Sequence, residues 1–145
     1  ACGQRQGQPA QSTAESPAGA PAETGTVTSA PPPGAEGALP TTPVTWAGPG
    51  GELQAAWAAA GEPRGGILVI HENKGLNDYI RSVAGRFAGI GYSALAIDLL
   101  SGQGGTGAFA DPAEATAALS KIPQEEFIAN LKSVITELQR RVPDR

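Results

Sequence analysis

His71, Glu72, Asn73 and Lys74 place an imidazole, a carboxylate, an amide and an amine in four consecutive positions. Together these groups can exchange protons and hold a polar substrate. They follow Gly65-Gly66-Ile67-Leu68-Val69-Ile70, a short apolar and partly β-branched run of the kind found in strands buried on both faces. A helical pattern begins directly after Gly75-Leu76-Asn77. Open α/β sheets place their chemistry at the carboxyl ends of parallel strands. Residues 71–77 are therefore the candidate site.

The elements that must position it follow from pattern. Val44-Thr45-Trp46 and Leu53 to Ala58 read as two strands around a Gly48-Pro49-Gly50-Gly51 turn. Asn77 or Asp78 caps a helix to about Ala88, with Ile80, Val83, Ala84 and Phe87 as its apolar stripe. Gly89 and Gly91 end it, and Tyr92 to Ile97 forms the next strand. Strand, helix and strand in about 30 residues make a right-handed βαβ unit. Leu99 to Ala110 is a glycine-rich loop. Asp111-Pro112 starts an alanine-rich helix, and Pro123 opens a last one with Phe127, Leu131, Val134, Ile135 and Leu138 as its stripe.

The same residues carry a resemblance. His71-Glu72-Asn73-Lys74-Gly75-Leu76-Asn77 with Ile80-Arg81, followed by Gly89-Ile90-Gly91-Tyr92-Ser93-Ala94-Leu95-Ala96-Ile97-Asp98-Leu99-Leu100, resembles the dienelactone hydrolase family of carboxymethylenebutenolidase-like α/β-hydrolases. The likeness runs from about Val44 to the chain end. It implies the N-terminal half of an α/β-hydrolase fold, a mostly parallel sheet with helices on both faces. It also implies ester or lactone hydrolysis by a Cys or Ser nucleophile on a G-x-S/C-x-G turn, with an acid and a histidine later in the chain. No serine here has those flanking glycines, and His71 precedes any place for a nucleophile. The chain alone lacks the triad, and nucleophile, acid and histidine are expected beyond it.

What the resemblance assigns to this chain lies beside that triad. The Asn73 N–H is the expected oxyanion-hole donor, and Glu72 the carboxylate that tunes the nucleophile's ionisation. Glu72 could equally be a solvated strand-end carboxylate. His71 either contacts substrate or packs at the strand end and bonds a loop carbonyl. Lys74 contacts substrate, pairs with Glu72 or Asp78, or is exposed. Asp98 stands where the family usually has Pro-Asp and is expected to bond loop amides. The family holds a substrate carboxylate with an arginine after this loop, yet Leu99 to Leu119 contains no Arg or Lys.

Other chemistry is excluded or weak. Gly102-Gln103-Gly104-Gly105-Thr106-Gly107 satisfies G-x-G-x-x-G. It neither follows a strand directly nor opens a helix, so it reads as a flexible loop over the site. No His, Cys, Asp and Glu spacing suggests a metal, and no cofactor is expected. Net charge of −4 without a basic cluster argues against nucleic acid. No apolar run approaches the ~20 residues that span a bilayer.

Residues 1–42 differ from the rest. Ala, Pro, Gly, Ser, Thr and Gln fill them, no aromatic residue occurs there, and Pro31-Pro32-Pro33 favours extended backbone. They read as a disordered tether ahead of a domain at 43–145. Ala1-Cys2-Gly3 resembles the end of a bacterial lipoprotein signal, which would place a lipid on Cys2 and the protein outside the cytoplasm on a membrane. A mature lipoprotein would begin at the cysteine, so Ala1 departs from that pattern. The expected partners are a small-molecule ester or lactone and, along the open side of strand 66–70, the C-terminal half of the domain or another chain. The alternative function is a non-catalytic, lipid-tethered accessory module.

Overall fold

The computed structural model describes residues 36–143. The tether as far as residue 35, with Cys2, lies outside the described residues. Pro49 and Gly50 turn the chain between β1 (Thr42–Gly48) and β2 (Gly51–Ala58), which pair antiparallel from Thr42↔Trp57 to Gly48↔Gly51. After β3 (Gly65–Ile70), Asn77 caps α1 (Asp78–Gly89), its Oδ1 accepting the Ile80 N–H at 3.1 Å. That side chain satisfies one of the free amides at the helix start. β4 (Tyr92–Asp98) returns parallel to β3, pairing from Gly65↔Tyr92 to Ile70↔Ile97, and antiparallel to β2. The strand order is β1-β2-β4-β3, a mixed sheet whose one parallel pair is the predicted crossover.

Alternation along β4 divides the core. Ala94 and Ala96 pack with Ala56, Ala58 and Val69 against Ile80, Ala84 and Ala88 of α1. Leu95 and Ile97 pack on the other face with Leu53, Ala55 and Val134, the last from α3 (Gln124–Arg141). Leu95 and Ile97 are fully buried, each stabilising the fold by roughly 1.5–3 kcal/mol. Between β4 and α3 in sequence, α2 (Pro112–Ser120) starts at Asp111, whose carboxylate accepts the Ala113 N–H at 2.9 Å. Its Ala115 joins Leu100 and Ile122 in a smaller third cluster.

Three features differ from the sequence reading. Strand 66–70, expected to be open along one side, lies at the end of the sheet, but it was also read as buried on both faces and Ile70 is 51% exposed. No strand among the described residues covers its outer side, so the apolar run is only half enclosed. In α3, Ile135 is exposed while Asn130 and Glu137 are buried. At about 100° per residue, positions 127, 130, 131, 137, 138 and 141 all fall within about 60° of the central Val134, and Ile135 falls outside that arc. Third, residues 37–39, assigned by composition to the tether, lie against α1. The Leu39 N–H donates to the Gly85 carbonyl at 2.9 Å, and a Cβ on Gly85 would collide with the Leu39 carbonyl oxygen.

Glu137 is held by its own helix. Its carboxylate accepts from Arg140 Nε at 3.1 Å and Arg141 Nε at 2.9 Å, and the Arg141 guanidinium lies 5.2 Å from the Trp57 ring centre. The Arg140 hydrogen bond above all, then the Arg141 bond and both positive charges, hold this carboxyl below its usual value of 4.5 against the opposing effect of burial. A carboxyl whose folded pKa is depressed stabilises fully above its unfolded pKa and loses that contribution as pH falls through the folded one. Urea denaturation of wild type and Glu137→Gln should therefore show a gap at neutral pH that closes below the usual 4.5. A gap of constant size would mean that the charge contributes nothing.

Candidate active site

Two loops meet at the carboxyl ends of β3 and β4, residues 71–77 and 99–111. His71 joins them. It is buried, at 6% exposure, with Nδ1 at 2.7 Å from the Glu72 carbonyl oxygen and Nε2 at 3.0 Å from the Leu99 amide nitrogen. A carbonyl only accepts and a backbone amide only donates. The partners therefore assign the proton to Nδ1 and leave Nε2 as acceptor. Both ring nitrogens are committed to main chain, so His71, a substrate-binding candidate by position, braces one strand end against the next.

Glu72, Asn73 and Lys74 are exposed. Glu72 and Lys74 line a cleft of roughly 230 Å³ with Gly75, Asn77, Tyr79 and Ile80. Asp78, a conceivable partner for Lys74, instead pairs with Arg81 at 3.1 Å. The 71–77 loop turns at Gly75, whose φ of +79° suits glycine and whose N–H donates to the Glu72 carbonyl at 3.2 Å. The Asn73 carbonyl accepts the Thr116 hydroxyl at 2.7 Å, tying α2 to this loop. The Asn73 N–H meets no acceptor among the described residues.

Asp98 organises the second loop. It is 4% exposed, and its Oδ1 accepts the Leu100 N–H at 3.0 Å and the Thr106 hydroxyl at 2.8 Å. Its Oδ2 accepts the Thr106 N–H at 2.7 Å. The Thr106 hydroxyl oxygen in turn accepts the Leu76 N–H at 2.9 Å. A chain of bonds thus runs from the end of β4 through Thr106 into the candidate loop. Ser101 adds to it, its hydroxyl accepting the Gln54 N–H at 2.9 Å and donating to the Asp98 carbonyl.

This geometry accounts for the glycine-rich stretch, which the sequence suggested as a flexible loop. Gly104 and Gly105 take φ of +93° and +90°, and single 3₁₀ turns at Ser101–Gln103 and Thr106–Ala108 fold the chain back onto Asp98. No helix opens at the end of β4, so the backbone amides do not converge as a dinucleotide site requires. Asp98 bonds loop amides, as its strand-end position suggested. Thr106 and Thr116 were not picked out from sequence, and Gly75 only as a member of the 71–77 stretch. For Thr106 the signal was a lone hydroxyl between Gly105 and Gly107. Among the described residues no group of three His, Cys, Asp or Glu side chains is placed to hold a metal ion. No described helix is long and apolar enough to cross a membrane.

Comparison with known proteins places this architecture. The family model for the dienelactone hydrolase family matches residues 53–142. A protein of Escherichia coli (strain K12) assigned as a hydrolase fragment, YghX, is 59% identical over 39 residues, 27% of this chain and 33% of that protein. A crystal structure assigned as a dienelactone hydrolase, from Klebsiella pneumoniae subsp. pneumoniae MGH 78578, is similar with a TM-score of 0.58 and 25% identity, over 69% of this chain and 43% of that one. The match thus spans less than half the length of either relative. With both motifs in order and the family model covering more than half its length, the chain belongs to the dienelactone hydrolase family.

Proposed function

We propose that this chain supplies the oxyanion-hole side of an ester or lactone hydrolase whose nucleophile, acid and histidine are carried by further polypeptide beside β3. One observation carries the reading. At the carboxyl end of a parallel strand, one loop carries an unengaged amide at Asn73 directly after Glu72, whose carboxylate lines a cleft. In the reaction, a Cys or Ser attacks the substrate carbonyl carbon, and the carbonyl electrons move onto oxygen. The Asn73 N–H and the amide after the nucleophile donate to that oxyanion. Glu72 holds the proton released by the nucleophile. Collapse of the intermediate breaks the ester C–O bond, and the departing alkoxide takes that proton by way of the histidine. Water then attacks the acyl carbon, and as the acid leaves, the water's proton restores the nucleophile. Lys74, in the same cleft, contacts the substrate's polar edge. The substrate needs no carboxylate, since Leu99 to Leu119 lacks any cation.

The test uses p-nitrophenyl acetate and a simple lactone. The 145-residue chain alone should turn over neither above background. In the polypeptide that carries the nucleophile, Glu72→Gln should lower kcat about 100-fold. Turnover by the chain alone, or an unchanged kcat in the variant, would overturn the assignment.

A further inference from the structure

We propose that His71 is a positioning residue that aims the Asn73 N–H, an inference that rests on the hydrolase reading above. A trans peptide group is planar, with its C=O and N–H pointing in opposite directions. The group between residues 72 and 73 carries the Glu72 carbonyl on one side and the Asn73 N–H on the other. Whatever grips the carbonyl therefore aims the amide. Two donors grip it, the His71 Nδ1–H at 2.7 Å and the Gly75 N–H at 3.2 Å. The second comes from Gly75, a buried residue that closes a turn within the same 71–77 loop. The first comes from a buried ring anchored elsewhere, because Nε2 accepts the Leu99 N–H at 3.0 Å. Leu99 directly follows β4, which lies inside the sheet. The donor's direction is thus referred to the interior of the sheet rather than to its own loop.

The alternative orientation shows what His71 prevents. Rotating this peptide by about half a turn would break the imidazole bond and point the Glu72 carbonyl oxygen where the amide had been. An acceptor would then face the developing oxyanion, and the hole would repel the charge it must stabilise. The tautomer is part of the device. With the proton on Nε2, the ring would set donor against donor at Leu99 and lone pair against lone pair at Glu72. Thr116, bonded to the Asn73 carbonyl, fixes the next peptide and leaves this one to His71.

His71 is the chain's single histidine, so ¹⁵N-histidine labelling yields one imidazole. Its spectrum should show a protonated Nδ1 and an unprotonated Nε2, and the opposite tautomer would overturn the proposal. The paired variants are His71→Asn, whose amide reaches the position of Nδ1, and His71→Gln, whose amide reaches that of Nε2. The Asn73 N–H residual dipolar coupling should stay near its native value in His71→Asn and change in His71→Gln, with the β4 couplings unmoved in both. A native Asn73 coupling in both variants would overturn the proposal. In the polypeptide that carries the nucleophile, His71→Gln should lower kcat by about 10²–10³-fold at nearly constant KM, the loss expected for one oxyanion donor, and His71→Asn should recover most of it. A changed coupling with unchanged kcat would uphold the grip on the peptide and overturn the oxyanion reading. The two failures are therefore distinguishable.

Discussion

Asp98→Ala should destabilise the domain by about 3–5 kcal/mol, a large share of the roughly 5–15 kcal/mol that holds a typical domain together. The carboxylate is 4% exposed and accepts three hydrogen bonds, from the Leu100 amide and from the amide and hydroxyl of Thr106. Removing it deletes charge-assisted bonds and leaves main-chain donors without partners in a largely buried site, where each orphan costs about 1–3 kcal/mol. Asparagine should rescue little, because its NH₂ would face the Thr106 N–H, donor against donor. Urea denaturation is the measurement, and the midpoint should fall sharply at an unchanged slope. A loss under about 1 kcal/mol would mean that the loop keeps its shape without the carboxylate.

Gly75→Ala should cost about 3 kcal/mol, from two sources that can be separated. Alanine at φ +79° is strained by about 1 kcal/mol. The remainder comes from the new Cβ, which would collide with the Thr106 hydroxyl and lie 2.7 Å from its methyl carbon. Thr106 would have to rotate away, abandoning both Asp98 and Leu76. Thermal unfolding of Gly75→Ala, Thr106→Ala and the double variant forms a cycle. In the Thr106→Ala background the glycine substitution should retain the strain of about 1 kcal/mol and the tight 3.0 Å contact with the remaining Cβ, but lose the collision with the hydroxyl. Additive losses would show that Gly75 and Thr106 do not share the contact.

Local features of this chain are legible in its sequence, and long-range ones are not. The Asn77 cap, the Asp111-Pro112 helix start and the alternation along β4 were legible, since each depends on neighbours a few residues away. Thr106 was not, because its partners Asp98 and Leu76 stand 8 and 30 residues off and meet only after the crossover is made. Ile135 shows a subtler failure. Apolar spacing placed it on the α3 stripe, but the buried arc centres on Val134, and the helix accommodates Asn130 and Glu137 on the other side.

By itself the sequence determined the order of strands and helices, the βαβ crossover and the paired motifs of the family. Backbone preference, capping and periodicity are local properties, and motif order is linear. Only the tertiary structure decided that His71 braces two strand ends. It alone decided that Thr106 links the Asp98 carboxylate to the Leu76 amide of the neighbouring loop. A side chain's role is set by its partners, and those of His71 and Asp98 include groups that only folding brings within bonding distance.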